Sequence, residues 1–420
     1  MKRFLALILS TAMVFSLTAC GGVGGISGKS QELTAGYTAQ SRNDLGYTTP
    51  GYNGAGATTA LGLSLLQYHL QNEDEGLVSP LSVLYALAMT MNGAADETLE
   101  QMETALHGTT ADWNTFLYYL LETTEEHQGE LHLANAIWLR DEEDRLTVKE
   151  SFLQTITDYY HAPAYAAPFD QSTVREINNF VNKHTDGMIE DILDEISPLA
   201  AIYLVNALGF EAEWQEKYQP AQVRQGVFTE ADGEFETVDF LHSAEHTYIT
   251  CGGAGGFLKY YRGGDYAFAA LLPPPGESAR EYVDTLTSHD LHAALTNHSY
   301  RDVIAAIPRF EEDSSMELSA ALKALGMTDL FDEDDADLTA MGTSTMGNLY
   351  VSRVLHETAI SVTPQGTKAG AATAVEVNDA AAAPSEEPPV EIILDRPFVY
   401  LIVETGSMTS LFMGVMSDLD

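Results

Sequence analysis

The pentapeptide HSAEH at residues 242–246 matches the H-x-x-E-H pattern, in which two histidines and a glutamate serve a zinc-dependent protease. That chemistry needs a helix, because a helix brings both histidines to one face at this spacing. The surrounding residues, FETVDFLHSAEHTYIT, instead alternate as strands around a turn do. The pattern predicts strands and no metal site. A hydrolase acting outside the cytoplasm is therefore only a remote alternative for the function of the protein.

Other catalytic motifs do not occur in the sequence. It contains no Gly-rich phosphate-binding loop, no G-x-S-x-G turn and no Cys-x-x-Cys pair. Ser, His and Asp are numerous, but a chain of 420 residues offers many such triples, so their presence does not indicate a triad. We therefore predict that the protein is not an enzyme and uses no cofactor.

The two cysteines differ in their surroundings. Lys2 and Arg3 precede a short apolar run, as in a secretory signal peptide, and the run ends in LTAC. This ending resembles the lipobox of bacterial lipoproteins, in which the cysteine becomes the lipidated first residue. We predict a signal peptide over residues 1–19, lipidation of Cys20, and an exported protein anchored at the cell surface or outer membrane. Cys251 then remains as a single thiol, so no disulfide forms within the chain, and its role stays open.

The composition describes an acidic protein with a large core. The formal net charge is −42 and the apolar fraction is 45%. Binding of DNA or RNA needs clustered Lys and Arg, and no basic stripe is present in the sequence. We therefore expect a folded domain without a nucleic-acid partner.

The composition and apolar periodicity of the chain change after its first 56 residues. Residues 20–56 are rich in Gly, Ser, Thr and Asn without apolar periodicity, which predicts a flexible tether. From residue 57 onward, segments with helical spacing such as SVLYALAMTMNGA come first, and apolar strand-like runs such as AAIYLVNALGF and PFVYLIVE dominate later. This order predicts a single α+β domain over residues 57–420.

A tract of small residues, GTKAGAATAVEVNDAAAAPSEEPP, occupies positions 366–389 between two predicted strands. Read at period two from Thr367 to Asn378, one face carries only Thr, Ala and Val, and all charge lies on the other face. The prolines that follow prevent it from continuing as a central strand. The tract is therefore an exposed loop with the pattern of a strand.

Seven segments of the chain, in order, resemble the serpin family. They include VSPLSVLYALAMTMNGAADETLEQM (78–102), YLVNALGFEAEW (203–214), VSRVLHETAISVTPQGTKAGAATA (351–374) and DRPFVYLIVE (395–404). The resemblance implies three β-sheets, about nine helices and an exposed reactive-centre loop. It also implies a monomer that inhibits a target serine protease irreversibly through a covalent acyl complex, after the cleaved loop inserts into the main sheet.

The same resemblance assigns roles to individual residues. The hinge of the loop comprises Gly366, Thr367, Lys368, Ala369, Gly370, Ala371, Ala372 and Thr373. The breach at the top of the sheet comprises Trp214 and Arg309, and the shutter beneath it comprises Ser79, Ser82, Asn206 and His356. Pro364 and Gln365 replace the acidic pair usual before the hinge, which removes the expected partner of Arg309.

The scissile bond depends on the end from which the loop is counted. Counting from Gly366 gives Ala380-Ala381, whereas counting back from the strand after the loop gives a position near Glu386; Val377 and Ala382 are further alternatives. Ala380 suggests an elastase-like or subtilisin-like protease with a small apolar pocket. The alternative function within this family is a non-inhibitory binding module.

Overall fold

The computed structural model describes residues 30–42, 45, 51–126, 131–142, 145–197, 200–367 and 388–419. In these ranges the helices are α1 (Gly54–His69), α2 (Pro80–Met91), α3 (Asp96–Ala105), α4 (Thr110–Glu126), α5 (Glu150–Tyr160), α6 (Gln171–His184), α7 (Ala279–Thr285), α8 (Ser288–Thr296) and α9 (Ser319–Ala324).

The strands of the same ranges are β1 (Gln31–Glu32), β2 (Gly76–Val78), β3 (Leu131–Arg140), β4 (Leu146–Val148), β5 (Ala164–Ala167), β6 (Ile202–Phe210), β7 (Ala212–Glu213), β8 (Val223–Thr229), β9 (Phe235–Cys251), β10 (Ala254–Tyr260), β11 (Tyr266–Leu272), β12 (Ser299–Pro308), β13 (Phe310–Glu317), β14 (Gly342–Ser344), β15 (Val351–Val362), β16 (Gly366–Thr367), β17 (Val390–Ile393), β18 (Phe398–Glu404) and β19 (Thr409–Met416).

These strands form three sheets. The main sheet has the order β1-β5-β3-β6-β15, with β13 on the far side of β15 and the short strands β16 and β7 at its upper end. The second sheet has the order β17-β12-β9-β10-β11-β18-β19-β2, with β8 paired to β9, and a small third sheet pairs β14 with β4. The predicted α+β class, the three sheets and the number of helices are confirmed.

Apolar side chains bury both faces of the main sheet. All nine residues of β6 are buried, as are all twelve of α2, which packs between β6 and β19. Ser79 caps the first turn of α2 and Pro80 occupies its first position, where a missing N–H costs nothing. Helix α6 covers the opposite face through Ile177 and Val181. The main sheet is thus held between helices, with its central strands shielded from water.

The first strand lies in the segment predicted to be a flexible tether, and here the structure differs from that prediction. Gln31 pairs with Ala166 of β5, and Glu32 pairs with Tyr165. Further along, the amide of Gln40 donates to the buried carboxylate of Asp158. Part of the segment is therefore packed on the domain, because backbone pairing at a sheet edge needs no apolar periodicity in the sequence.

The HSAEH residues lie inside the continuous strand β9, so the predicted strand character is confirmed, but the predicted turn is wrong because the strand runs from Phe235 to Cys251 without interruption. His246 contacts Asp302 of β12 at 2.9 Å. Among the described residues, no group of three or more His, Cys, Asp or Glu side chains is arranged to hold a metal ion. In the same part of the chain, none of the helices has the length and apolar character needed to cross a bilayer.

Candidate functional site

The start of the small-residue tract is built into the upper end of the main sheet. Thr367 pairs with Val362 of β15 on one side and with Ala212 of β7 on the other, and Gly366 pairs with Glu213. Both pairings are antiparallel. The first two residues of the predicted hinge therefore already form a short strand between β15 and the continuation of β6.

Position 366 has room only for glycine. A Cβ atom added there would lie 2.0 Å from the carbonyl oxygen of Ala212 and 2.7 Å from the Cα of Glu213. Both neighbours are backbone atoms, which cannot rotate away as a side chain can. The close pairing of β16 with β7 thus requires the glycine that the sequence supplies.

Thr367 points into the core, where aromatic rings enclose it. Its side chain is fully buried and its hydroxyl is 2.6 Å from the hydroxyl of Tyr261. The ring of Tyr261 stacks on Trp214 with 4.4 Å between ring centroids and 12° between ring planes. Burial raises the pKa of Tyr261. Thr367 belongs to the face of the tract that carries small uncharged residues, and at this residue that face points into the core.

Trp214 and Tyr218 hold the turn that precedes the hinge. The indole Nε1 of Trp214 donates to the carbonyl of Thr363 at 2.8 Å, and its backbone N–H donates to Gln365 at 3.0 Å. The backbone N–H of Tyr218 donates to the carbonyl of Pro364 at 3.0 Å. Three consecutive carbonyls of the turn are thereby fixed from one side.

Below the hinge, the main sheet is closed. Strands β6 and β15 pair directly in parallel from Ile202 and Val351 up to Leu208 and Thr358. Above Thr358 the two strands separate, and β16 lies in the gap. The space for a further strand is therefore open at one end and shut along the rest of its length.

Ser79, Ser82, Asn206 and His356, the predicted shutter residues, form one buried cluster beneath the closed part. His356 and Asn206 lie opposite each other on β15 and β6. The backbone N–H of Ser79 donates to Nε2 of His356 at 2.9 Å, and Nδ1 of the same ring lies 3.0 Å from Oδ1 of Asn206. The hydroxyl of Ser82 also donates to that oxygen, at 3.1 Å. The cluster joins α2 to both central strands.

The hydrogen bonds of this cluster require a neutral imidazole. Nε2 of His356 accepts a hydrogen bond, so the ring proton is on Nδ1 and is donated to Asn206. A second proton on Nε2 would face the N–H of Ser79. Desolvation of the buried ring lowers the pKa of His356 to about 3. His356 therefore serves as a structural hydrogen-bonding group.

Asn135 extends this polar row onto the next strand. It lies opposite Asn206 on β3 and is only 6% exposed. Within the described residues, neither its amide nitrogen nor its amide oxygen has a hydrogen-bond partner. Sequence reasoning missed Asn135, although a polar residue inside the apolar run LANAIWL was a signal for it.

The remaining predicted site residues are placed differently. Arg309 is exposed just before β13 and, among the described residues, forms no ion pair, which agrees with Pro364 and Gln365 replacing its expected acidic partners. The following predicted positions lie outside the described residues: Cys20, Lys368, Ala369, Gly370, Ala371, Ala372, Thr373, Val377, Ala380, Ala381, Ala382 and Glu386.

The chain matches a family model over nearly its whole length. The family described as Serpin (serine protease inhibitor) matches residues 56–419. An uncharacterized serpin-like protein from Thermococcus kodakarensis is 29% identical over 353 residues, which cover 82% of this chain and 81% of the relative.

Solved structures show the same fold. The native state of the thermophilic serpin tengpin superimposes with a TM-score of 0.84 at 37% identity and covers 93% of this chain and 100% of its own. The latent state of tengpin gives a TM-score of 0.77 at 36% identity, covering 89% of this chain and 100% of its own. The chain thus resembles the native form more closely than the latent form.

Proposed function

Because this chain belongs to the serpin family, we propose that it inhibits serine proteases irreversibly by loop cleavage and insertion. The observation that carries the proposal is the pairing of Gly366 and Thr367 with both β15 and β7. This pairing supplies the first two residues of a strand whose continuation would separate β6 from β15.

The pairing also supports a specific register for insertion. Thr373 comes six residues after Thr367, so it would reach His356, six before Val362, and Asn206, six before Ala212. Ala369, Ala371 and Thr373 would face inward with Thr367, and Lys368 would face solvent. The inserted strand would therefore bring only small uncharged side chains to the buried cluster.

The register favours Ala380 as the residue that is cut. Thirteen residues beyond Thr367, Ala380 would lie opposite Leu349, just past the end of β15. The acylated residue would thus travel about 43 Å, the full length of the strand. Cleavage near Glu386 would leave six extra residues unpaired at that end and would keep the protease farther from the sheet.

The chemistry is that of an interrupted proteolysis. The serine Oγ of the protease attacks the carbonyl carbon of Ala380, the Ala380-Ala381 bond breaks, and the amine of Ala381 takes the proton and leaves. Hydrolysis of the ester formed on Ala380 needs an intact protease active site, which insertion distorts. The added backbone hydrogen bonds, each about 1 kcal/mol, give a driving force of about ten kcal/mol before the cost of ordering.

The test is to incubate the full chain, in detergent, with elastase, subtilisin and trypsin. We expect an SDS-stable complex with elastase or subtilisin and a released fragment that begins at Ala381, identified by mass spectrometry. Cleavage without a complex and without a rise in thermal midpoint would contradict inhibition and would indicate a non-inhibitory binding protein.

Two loop variants separate insertion from simple recognition. Ala371→Glu places a charge on the inward face, and Ala372→Glu places the same charge on the outward face as a matched control. We expect Ala371→Glu to be cleaved as a substrate without complex formation, and Ala372→Glu to inhibit like the parent. Equal complex formation by both would contradict the proposed register.

We also propose that the protein is exported and lipidated at Cys20. The support is the sequence of residues 1–20, a basic start followed by an apolar run and LTAC. The parent protein should incorporate a labelled fatty acid, and Cys20→Ala should not. Equal labelling of the two proteins, or no labelling of the parent, would contradict lipidation at Cys20.

A further inference from the structure

Lys259 is a buried cation that the proposed mechanism does not use. It lies on β10, opposite Phe268 of β11, and its side chain is only 3% exposed. Buried lysines are rare unless a partner neutralises the charge. Its position in the core therefore requires a specific explanation.

The partner of Lys259 is Glu245 of β9. The two side chains are 2.8 Å apart, and Glu245 is 12% exposed. A buried pair of this kind adds little net stability, because desolvation opposes the Coulomb attraction. What it does provide is a fixed position for a positive charge.

That charge lies against two aromatic rings. The Nζ atom is 4.6 Å from the ring centroid of Tyr218 and 5.4 Å from the ring centroid of Trp214. The two rings meet edge to face with 6.5 Å between centroids. At these distances the ammonium group attracts both ring faces and restricts how each ring can turn.

Trp214 and Tyr218 are the residues that hold the turn before the hinge, through the carbonyls of Thr363, Pro364 and Gln365. The acidic residues expected in this turn are replaced by Pro364 and Gln365, and Arg309 forms no ion pair within the described residues. From this side the turn is held by the indole Nε1 of Trp214 and by the backbone N–H groups of Trp214 and Tyr218, in addition to the hydrogen bonds between Thr363 and Gly366 within the turn.

We propose that the Lys259–Glu245 pair is a positioning element that orients Trp214 and Tyr218 and thereby directs the hinge into the gap between β6 and β15. The inference rests on the proposed function, because it concerns the efficiency of insertion after cleavage. Loss of the cation leaves the turn less fixed, insertion becomes slower, and more acyl enzyme is hydrolysed before it is trapped.

The experiment compares Lys259→Met, which keeps most of the volume but removes the charge, with Lys259→Arg, which keeps a cation. We expect the number of inhibitor molecules consumed per protease molecule to rise about fivefold in Lys259→Met and to stay near the parent value in Lys259→Arg. Lys323→Met is the matched control, since Lys323 contacts the ring of Phe331 at 5.6 Å on a different element.

A spectroscopic measurement tests the same contact without a protease. The chain has three tryptophans, and subtracting the emission of Trp214→Phe isolates Trp214. The Trp214 emission should change in Lys259→Met and be restored in Lys259→Arg. The double variant Glu245→Gln/Lys259→Met removes both charges, so it avoids an unpaired buried charge if the single variant does not fold.

The outcomes distinguish the two proposals. Absence of an SDS-stable complex with the parent protein would overturn the proposed function. A parent that inhibits, together with Lys259→Met and double variants whose inhibitor consumption and Trp214 emission match the parent, would overturn the positioning role of Lys259.

Discussion

His356 couples the helix under the sheet to both central strands through a single ring. One nitrogen accepts from the start of α2 and the other contacts Asn206 of β6, while the residue itself belongs to β15. Separation of β6 from β15 must change the contact with Asn206 but need not change the contact with Ser79. The ring can therefore stay fixed on α2 while an inserted side chain takes the place of the amide.

Replacing His356 with alanine should destabilise the native protein strongly. The change leaves the buried N–H of Ser79 without a partner and creates a cavity, so we expect the free energy of unfolding to fall by about 2–4 kcal/mol. Urea denaturation at pH 7.5 measures this change. His246→Ala, at an exposed histidine, should cost under about 0.5 kcal/mol.

The pKa of His356 adds a pH dependence to that difference. The ordinary pKa of a histidine is 6.5 and that of folded His356 is about 3. Between these two pH values the unfolded chain binds a proton at this position and the folded protein does not. The parent therefore loses up to about 1.4 kcal/mol of stability per pH unit below 6.5 beyond what His356→Ala loses, so the stability gap between the two proteins narrows as pH falls. A stability gap that stayed constant from pH 7.5 to pH 5 would contradict the assigned neutral state.

Glu312 gives the opposite pH dependence. It accepts a hydrogen bond from the hydroxyl of Tyr400 at the wall of a cavity of about 560 Å³ that is also lined by Glu75 and Asp313. Desolvation, and then the neighbouring carboxylates, raise the pKa of Glu312 from 4.5 to about 8. As pH rises through this window the unfolded chain ionises first, so the folded protein loses relative stability.

Glu312→Gln should remove this loss. Because the cavity is open to solvent, we expect a gain of about 2–3 kcal/mol over the parent at pH 8 and little difference at pH 4.5. Urea midpoints at the two pH values provide the measurement. The exposed neighbour offers a control, since Glu311→Gln should follow the parent at both; identical pH profiles for Glu312→Gln and the parent would contradict the raised pKa.

Among the elements, β1 protects an edge of the main sheet. It pairs with β5, and the backbone N–H of Leu33 continues the contact by donating to Ala164 at 2.7 Å. Gln40 then gives two hydrogen bonds to Asp158, of 2.9 Å from its backbone and 2.8 Å from its side chain. An exposed strand edge favours association, so covering it also protects the monomer.

Removing residues 1–42 should therefore lower the free energy of unfolding by more than removing residues 1–29 does. The longer deletion takes away β1 and leaves the carboxylate of Asp158, only 4% exposed, without two of its donors. We expect a loss of about 2–4 kcal/mol for the longer deletion and under about 0.5 kcal/mol for the shorter one. Equal thermal midpoints for the two deletions would show that this segment does not stabilise the domain.

At the scale of the whole molecule, most of the architecture could be predicted from apolar patterning. Runs such as IYLVNALGF are strands because their apolar side chains pack on both faces of the sheet, and PLSVLYALAMTM has Pro at its first position after the capping Ser79, which favours a helix. The strand β1 could not be predicted, because Gln31 and Glu32 are exposed and contribute only backbone pairing.

The site was predictable only where a residue's type shows its role. The size and alternation of Gly366 and the small residues after it indicate a loop with strand patterning, and the resemblance to serpins identifies its start as the hinge. Lys259 and Asn135 give no such indication, because a charged or amide side chain in a strand is normally assigned to solvent. Their burial results from contacts with the neighbouring strands β9 and β6, which form only when the sheets assemble.

The net charge of −42 leads to the last prediction, which concerns the encounter with a protease. With 62 acidic and 20 basic residues, the molecule attracts cationic partners over distances comparable to the Debye length, about 10 Å at 0.1 M salt. The association rate with a basic elastase should fall about tenfold between 0.05 and 0.5 M NaCl. Stopped-flow inhibition measures this rate, and an acidic subtilisin is the control, for which the rate should stay level or rise.

Insertion occurs inside the sheet and should not depend on salt. If the number of inhibitor molecules consumed per protease stays constant, the salt effect acts on the association step alone. An association rate with the basic protease that did not change with salt would show that the surface charge serves another purpose.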